Sequence, residues 1–220
     1  MNDWISKVLA EPDLLRMGHW QRLEDHNLGM GWLYYGLARL IRPRNVVVVG
    51  SFRGFAPLMF AHALRDNVEG GTVYFIDPSL VDEFWKDPKR VDEHFATFGV
   101  TNVRHFLMTT QQFVETDIYR GLDEIGIAFI DGYHSEEQAC FDYEAFEHLI
   151  SPGGVTLFHD SLRVSTAGIY GPDRAYERRV RFFIDRLKQN PELQVFDLPY
   201  SPGLTLVRKS ECQLLDSESP

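Results

Sequence analysis

A chain of 220 residues, 44% hydrophobic and 25% charged, has the size and composition of one globular domain and can bury a full core without disulfides or structural metals. Its formal net charge of −10 argues against a nucleic-acid phosphate track, which draws its affinity from clustered Lys and Arg; a small molecule or a protein is the expected partner. Cys140 and Cys212 are too few for a disulfide framework, and no N-terminal apolar run resembles a signal peptide or membrane span, so the expected location is cytoplasmic.

In chain order, residues 1–44 are aromatic-rich and helical in pattern, ending in a stripe of Leu33, Leu37, Leu40 and Ile41 that should be buried. This region reads as a cap over a site or as part of a homo-oligomer contact. Five short apolar runs follow, at 46–49, 73–76, 103–107, 127–130 and 155–158, as expected of parallel strands buried on both faces. Between the last two, Ala139, Tyr143, Phe146 and Ile150 form one helical stripe, opened by Ser135 and Gln138 in capping-box spacing and stopped by Ser151-Pro152-Gly153-Gly154. A second helix is predicted over 173–189, with Tyr176, Val180, Phe183 and Leu187 facing one way. The runs 194–198 and 204–207 flank Pro199-Tyr200-Ser201-Pro202-Gly203 as an antiparallel hairpin, and 209–220 reads as a loose polar tail after a single domain over 1–208. Strand and helix alternate before a terminal hairpin. That predicts an α/β, Rossmann-like doubly wound sheet of seven strands, with helices on both faces and only the last strand reversed.

Ligands of an open parallel sheet gather at the carboxyl ends of its strands near the switch point. After 46–49 comes Gly50-Ser51-Phe52-Arg53-Gly54-Phe55-Ala56-Pro57, a glycine turn opening a helix. Glycine lets the backbone approach a ligand, and the helix start offers N–H groups to a carboxylate or phosphate; the same turn also serves as a plain strand-to-helix connection. The second run ends in Asp77, where a carboxylate accepts the ribose hydroxyls of an adenosine ligand or caps the next helix. Gly50, Gly54 and Asp77 also fit a nicotinamide dinucleotide, but Gly-x-Gly-x-x-Gly is absent, which counts against an oxidoreductase. Thr109-Thr110-Gln111 suits an adenine edge. Asp131, His159 and Asp160 close two adjacent strands and can converge on one divalent ion or one substrate proton, with His134 beside them at a helix start. His19 and His26 are the other histidines within reach, from the N-terminal cap.

Taken together, these residues resemble the class I S-adenosylmethionine (SAM)-dependent methyltransferases over residues 28–208, in the branch of catechol-type, macrocin-type and cephalosporin-hydroxylase-like O-methyltransferases. The resemblance implies a sheet order of 3-2-1-4-5-7-6, SAM as cofactor, and methyl transfer to a hydroxyl of a small-molecule acceptor. It implies that Gly50, Ser51, Phe52 and Gly54 wrap the methionine part of SAM, that Asp77 holds the ribose, and that Thr109, Thr110 and Gln111 border adenine. Asp131, Gly132 and Tyr133 complete the cofactor side. It further implies a divalent metal at Asp131, His159 and Asp160, and a base at His134, where catechol-type members carry a lysine.

The sequence departs from the family at four positions. Val48 stands where an acid often holds the SAM amino group, and Ala56 replaces a hydroxyl residue near the SAM carboxylate. Tyr133 replaces the presumed base of sugar O-methyltransferases. His159 replaces a carboxylate, and imidazole suits a transition metal better than magnesium. Val48 and Ala56 support the alternative of a SAM-binding relative without methyltransferase activity. Neutral His134 or His159 is suited to take a hydroxyl proton; His134 is favoured, with the trio as metal or substrate clamp. Specificity is expected from residues 1–35, from Phe84-Trp85-Lys86 and from 163–174, with Trp20, Trp32, Trp85 and Tyr170 lining an apolar acceptor pocket.

Overall fold

The structure, a computed structural model, describes residues 3–200 and 203–210. Two amphipathic helices, α1 (Asp3–Ala10) and α2 (Gly31–Ile41), precede the first strand. They are followed by β1 (Asn45–Val49), α3 (Phe55–Asp66), β2 (Thr72–Ile76), α4 (Pro88–Thr97), β3 (Val103–Phe106), the single-turn helices α5 (Thr110–Phe113) and α6 (Asp117–Arg120), β4 (Ile125–Ile130), α7 (Glu136–Phe146) and β5 (Ile150–His159). A ribbon of β6 (Ser165–Ala167) and β7 (Tyr176–Arg178) comes next, then α8 (Val180–Leu187), β8 (Leu193–Leu198) and β9 (Leu204–Lys209).

Seven strands make one sheet in the order β3-β2-β1-β4-β5-β9-β8, which in the sheet's own count is the expected 3-2-1-4-5-7-6. Strands β1 to β5 are parallel, and β9 runs antiparallel to both β5 and β8. Parallel neighbours require crossovers, which the intervening helices supply on both faces of the sheet. The central strands β1 and β4 are nearly all apolar and buried along their length, as that position demands. Strand β3 lies at an edge, so the run at 103–107 is less buried than expected and Leu107 is exposed.

The N-terminal region joins the main core. Val8, Leu9, Leu14 and Leu28 are fully buried in the same cluster as Phe60 of α3 and Phe129 of β4. On α2 the deepest positions are Tyr34 and Ala38; Leu33, Leu37 and Ile41 pack at its margin, and Leu40, expected in the buried stripe, is 78% exposed. Tyr34 sits with its ring 5.7 Å from Phe60 and 4.9 Å from Phe129, which binds α2 to the sheet through aromatic contacts.

The helix expected over 173–189 forms only over Val180–Leu187. Tyr176–Arg178 pairs instead with Ser165–Ala167, and the Tyr176 ring stacks on Tyr133 at 4.0 Å, so its apolar surface is covered without a helix. Val180, Phe183 and Leu187 keep the predicted stripe, packed with Ala139 of α7 and Phe158 of β5. At the start of α7, Ser135 accepts from the Gln138 N–H (3.1 Å), but the Gln138 side chain turns to Asp142 (2.8 Å) instead of closing the capping box. The expected stop at 151–154 belongs to the first half of β5. Residues 201–202 of the hairpin connection, the tail at 211–220 and Cys212 lie outside the described residues. Among the described residues no helix is long and apolar enough to cross a membrane.

Phe60 is fully buried between Tyr34 and Phe129. Phe60→Ala should therefore lower unfolding free energy by about 3–5 kcal/mol in urea denaturation, the range for a large aromatic lost from a packed core.

Candidate active site

The tips of three strands interlock. The Gly50 N–H donates to the Ile76 carbonyl (2.8 Å), and the Asp131 N–H donates to the Val49 carbonyl (2.8 Å). Gly50 has φ +70°, and a Cβ there would lie 2.5 Å from the Asp131 carbonyl oxygen, so only glycine lets β1 and β4 end this close together. Above them opens a cavity of about 610 Å³, within the usual range of small-molecule sites. Gly50, Ser51 and Phe52 line it. Gly54 does not: it caps α3 at φ +78°, and a Cβ there would meet Trp85 at 3.1 Å and Phe95 at 3.3 Å, so its role is packing.

Asp77 closes β2 at the cavity wall. It accepts the Ser79 N–H (2.7 Å) and the Ser51 N–H (3.3 Å), so it ties its own turn to the glycine turn. Burial raises its pKa, those two N–H groups oppose the rise, and the Asp131 and Asp82 charges add to it. Across the cavity, Thr109 caps α5 in a capping box with Gln112, while Thr110 is buried. Gln111 donates to Gln138 (2.9 Å), which donates to Asp142 (2.8 Å). Asp142 had no role in the sequence reading; burial raises its pKa to about 6, against the pull of Thr110 and Gln138. Thr109, Thr110, Gln111, Gly132 and Tyr133 all line the cavity, as does Ala56, whereas Val48 is wholly inside the core. A carboxylate, the glycine turn and a polar wall thus border one space.

The other half of the cavity is walled by a polar cluster. His159 Nδ1 lies 2.9 Å from Asp131 Oδ1 and 3.2 Å from Asp160 Oδ1. His134 Nε2 lies 3.6 Å from Asp131 Oδ1 and 3.7 Å from Asp160 Oδ2, and Arg178 Nη1 lies 2.5 Å from that same Oδ2. The His19 ring stacks over His159 with centroids 5.5 Å apart. Burial alone would lower the His159 pKa, but the Asp131 contact, helped by Asp160, brings it up to about 9, and His159 is held as an imidazolium. Burial dominates at His134 and lowers its pKa despite both carboxylates, with His159 and Arg178 acting in the same direction. Asp131 would be raised by burial, but His159, His134 and Arg178 bring it below the usual carboxylate value.

Asp131, His159 and Asp160, expected as metal ligands, do come together, but they face one another and Arg178. Among the described residues no group of three or more His, Cys, Asp or Glu side chains is arranged to hold a metal ion. The Arg178 guanidinium already sits on Asp160 and offers no lone pair of its own, so the donor set in this arrangement does not fit a divalent ion.

Of the aromatics expected in the acceptor pocket, Trp85 and Tyr170 line the cavity, while Trp20 and Trp32 are exposed outside it. His19 lines the cavity, whereas His26 lies against Ser6 (3.2 Å), away from it. Arg178 and Tyr176, inside the segment read as a helix, are wall residues that the sequence reading missed.

Residues 47–161 match a family model described as a methyltransferase domain. The chain is 23% identical to the Tapetum-specific methyltransferase 1 of Arabidopsis thaliana, an alignment covering 92% of this chain and 85% of that protein. It is similar in structure to the O-methyltransferase TomG of Streptomyces achromogenes, involved in tomaymycin synthesis and solved in complex with SAM (TM-score 0.65, 18% identity, 96% of this chain and 91% of that one). A comparable likeness relates it to the SAH-bound Podospora anserina methyltransferase PaMTH1 (TM-score 0.64, 17% identity, 96% and 89%). At these identities the solved structures speak for the fold.

The fold favours protonated His159, so that stability contribution is complete below the unfolded value of 6.5 and is lost as pH rises through about 9. Proton NMR should find one imidazole titrating near that upper value, with urea resistance falling across the same interval. Asp131→Asn should move this titration down and flatten the stability profile; an unchanged titration would remove Asp131 as its cause.

Proposed function

This chain belongs to the methyltransferase domain family, and we propose that within it the protein transfers the methyl group of SAM to a hydroxyl oxygen of a small molecule, with His134 as base. The observation that carries this reading is that one cavity joins the Gly50–Asp77 wall to a buried imidazole held uncharged near neutral pH. SAM, when bound, supplies an electrophilic methyl carbon on its sulfonium.

The chain's own residues account for the rest. Gly50 lets the tips of β1 and β4 close up beneath the cavity, and the turn at Ser51 and Phe52 that lines it would face the amino-acid end of the cofactor. Asp77 accepts from the ribose hydroxyls, and Thr110 and Gln111 border the base. His19, His134, Tyr170 and Tyr176 wall the other half of the cavity, where an acceptor would meet the methyl group that SAM supplies. There His134 Nε2 takes the acceptor's hydroxyl proton as the oxygen forms its bond to the methyl carbon and the carbon–sulfur bond breaks. The proton rests on the imidazole, beside Asp131 and Asp160, before passing to water. Most of the acceleration comes from holding oxygen, carbon and sulfur in line. No metal enters these steps.

Calorimetry should show SAM and S-adenosylhomocysteine binding and NAD not binding. Asp77→Ala should weaken SAM affinity by about 1.5–3 kcal/mol, the range for hydrogen bonds to a charged group; equal affinities would take Asp77 out of the ribose role.

Turnover is to be sought by mass spectrometry over a panel of phenols, catechols and sugars, reading a gain of one methyl group. With an acceptor from that panel, His134→Ala should lose about 10²–10⁴ in kcat while keeping its SAM affinity. Because burial places the His134 pKa below 6.5, the wild-type rate should climb with pH through a value under 6.5 and then stay level. A His134→Ala protein that turns over normally while melting earlier would leave His134 a structural role only.

A further inference from the structure

Two carboxylates, Asp131 and Asp160, stand at the tips of neighbouring strands with side chains only 22% and 6% exposed. Like charges this close and this buried need compensating positive charge. The ribbon supplies part of it. Arg178 is the last residue of β7, and its Nη1 lies 2.5 Å from Asp160 Oδ2.

Three contacts that do not involve this ion pair hold the ribbon in place. The His134 N–H donates to Tyr176 Oη (3.3 Å), the Arg179 N–H donates to the His134 carbonyl (2.7 Å), and the Tyr176 ring stacks on Tyr133. The guanidinium is therefore delivered by a braced element. Its charge sits on Asp160 Oδ2 while His159 faces Oδ1 of the same carboxylate, and a divalent ion brought to that carboxylate would meet strong repulsion from the guanidinium. Arginine suits the place, since its charge is permanent and its planar fork fixes direction, whereas an ammonium gives up its proton more readily when buried.

Building on the methyl-transfer reading, we propose that Arg178 stands in for a divalent cation: it is a positioning residue that holds Asp160, and through Asp160 the His134 ring, against the acceptor hydroxyl, and it leaves the site without affinity for a metal. The ribbon thus carries into the cleft the fixed positive charge that an ion would otherwise bring.

The test has two arms on the full chain saturated with S-adenosylhomocysteine or SAM. In the first, Mn²⁺ is titrated and followed by electron paramagnetic resonance; wild type should show no saturable site through the millimolar range. One saturable Mn²⁺ site that disappears in Asp131→Asn would overturn the proposal. In the second, with an acceptor found by the panel above, wild-type turnover should be the same with and without EDTA. Arg178→Met should lose about 10²–10³ in kcat, the scale for removing one preorganised hydrogen-bond donor, with S-adenosylhomocysteine affinity unchanged, and Arg178→Lys should recover part of the loss. Wild-type turnover in Arg178→Met would also overturn it. If no hydroxyl acceptor is methylated, the transfer reading fails, while the Mn²⁺ titration still decides whether a cation belongs in this site.

Discussion

The ends of β1 and β4 meet over a single atom's width. Val49 and Asp131 share a backbone hydrogen bond, Gly50 reaches sideways to Ile76, and the space beside the Asp131 carbonyl holds a hydrogen atom but no methyl group. That close approach sets the spacing between Asp77 on one flank and Asp131 on the other. A side chain at position 50 would push the two strands apart and move every group carried on β4 relative to those carried on β2. The strands behind this junction, Val46 to Val49 and Ile125 to Ile130, are buried and packed on both faces, so the two halves of the cavity are referred to one rigid seam.

On the β4 and β5 side of the seam, electrostatics does what geometry does on the other. Two imidazoles with centroids 6.4 Å apart are driven in opposite directions. His159, in contact with both carboxylates, keeps its proton; His134, nearly as buried but farther from either carboxylate, loses it. Two side chains of one chemical type are thus given opposite proton affinities by their surroundings. Asp131 touches both rings, which couples the two assignments.

The sheet was legible because its signals are local and redundant: short apolar runs, a glycine turn after the first of them, and an acid at the end of the second. The strand tips carried Asp77, Asp131, His134, His159 and Asp160, and all of these line the cavity. What the sequence concealed was brought in from a distance. Tyr176, Val180, Phe183 and Leu187 satisfy helical spacing, and nothing in that spacing reveals that Tyr176 is covered by Tyr133, forty-three positions earlier in the chain, with Arg178 carried along. His19 enters through a loop with left-handed backbone at His19 and Trp20, closed against Gly29, where a Cβ would strike the His19 carbonyl. Leu40 satisfied the stripe on α2 equally well and points to solvent, because Tyr34 and Ala38 had already taken the places over α3.

The hairpin at the far end of the sheet gives the site a history. Strand β5, which ends in His159, is flanked by β4 on one side and β9 on the other, and the turn after it is pinned where the Ser161 hydroxyl meets Thr205 (2.8 Å). Thr205 is bonded in turn to Asp197 on β8. During synthesis, the glycine cradle and Asp77 can take their places as soon as β1, β2 and β4 have paired. The end of β5 is flanked on both sides only after residues beyond 204 have left the ribosome and added themselves to the sheet edge. The rate at which the hairpin docks therefore fixes when the carboxyl end of β5, and His159 with it, reaches its final place beside Leu204.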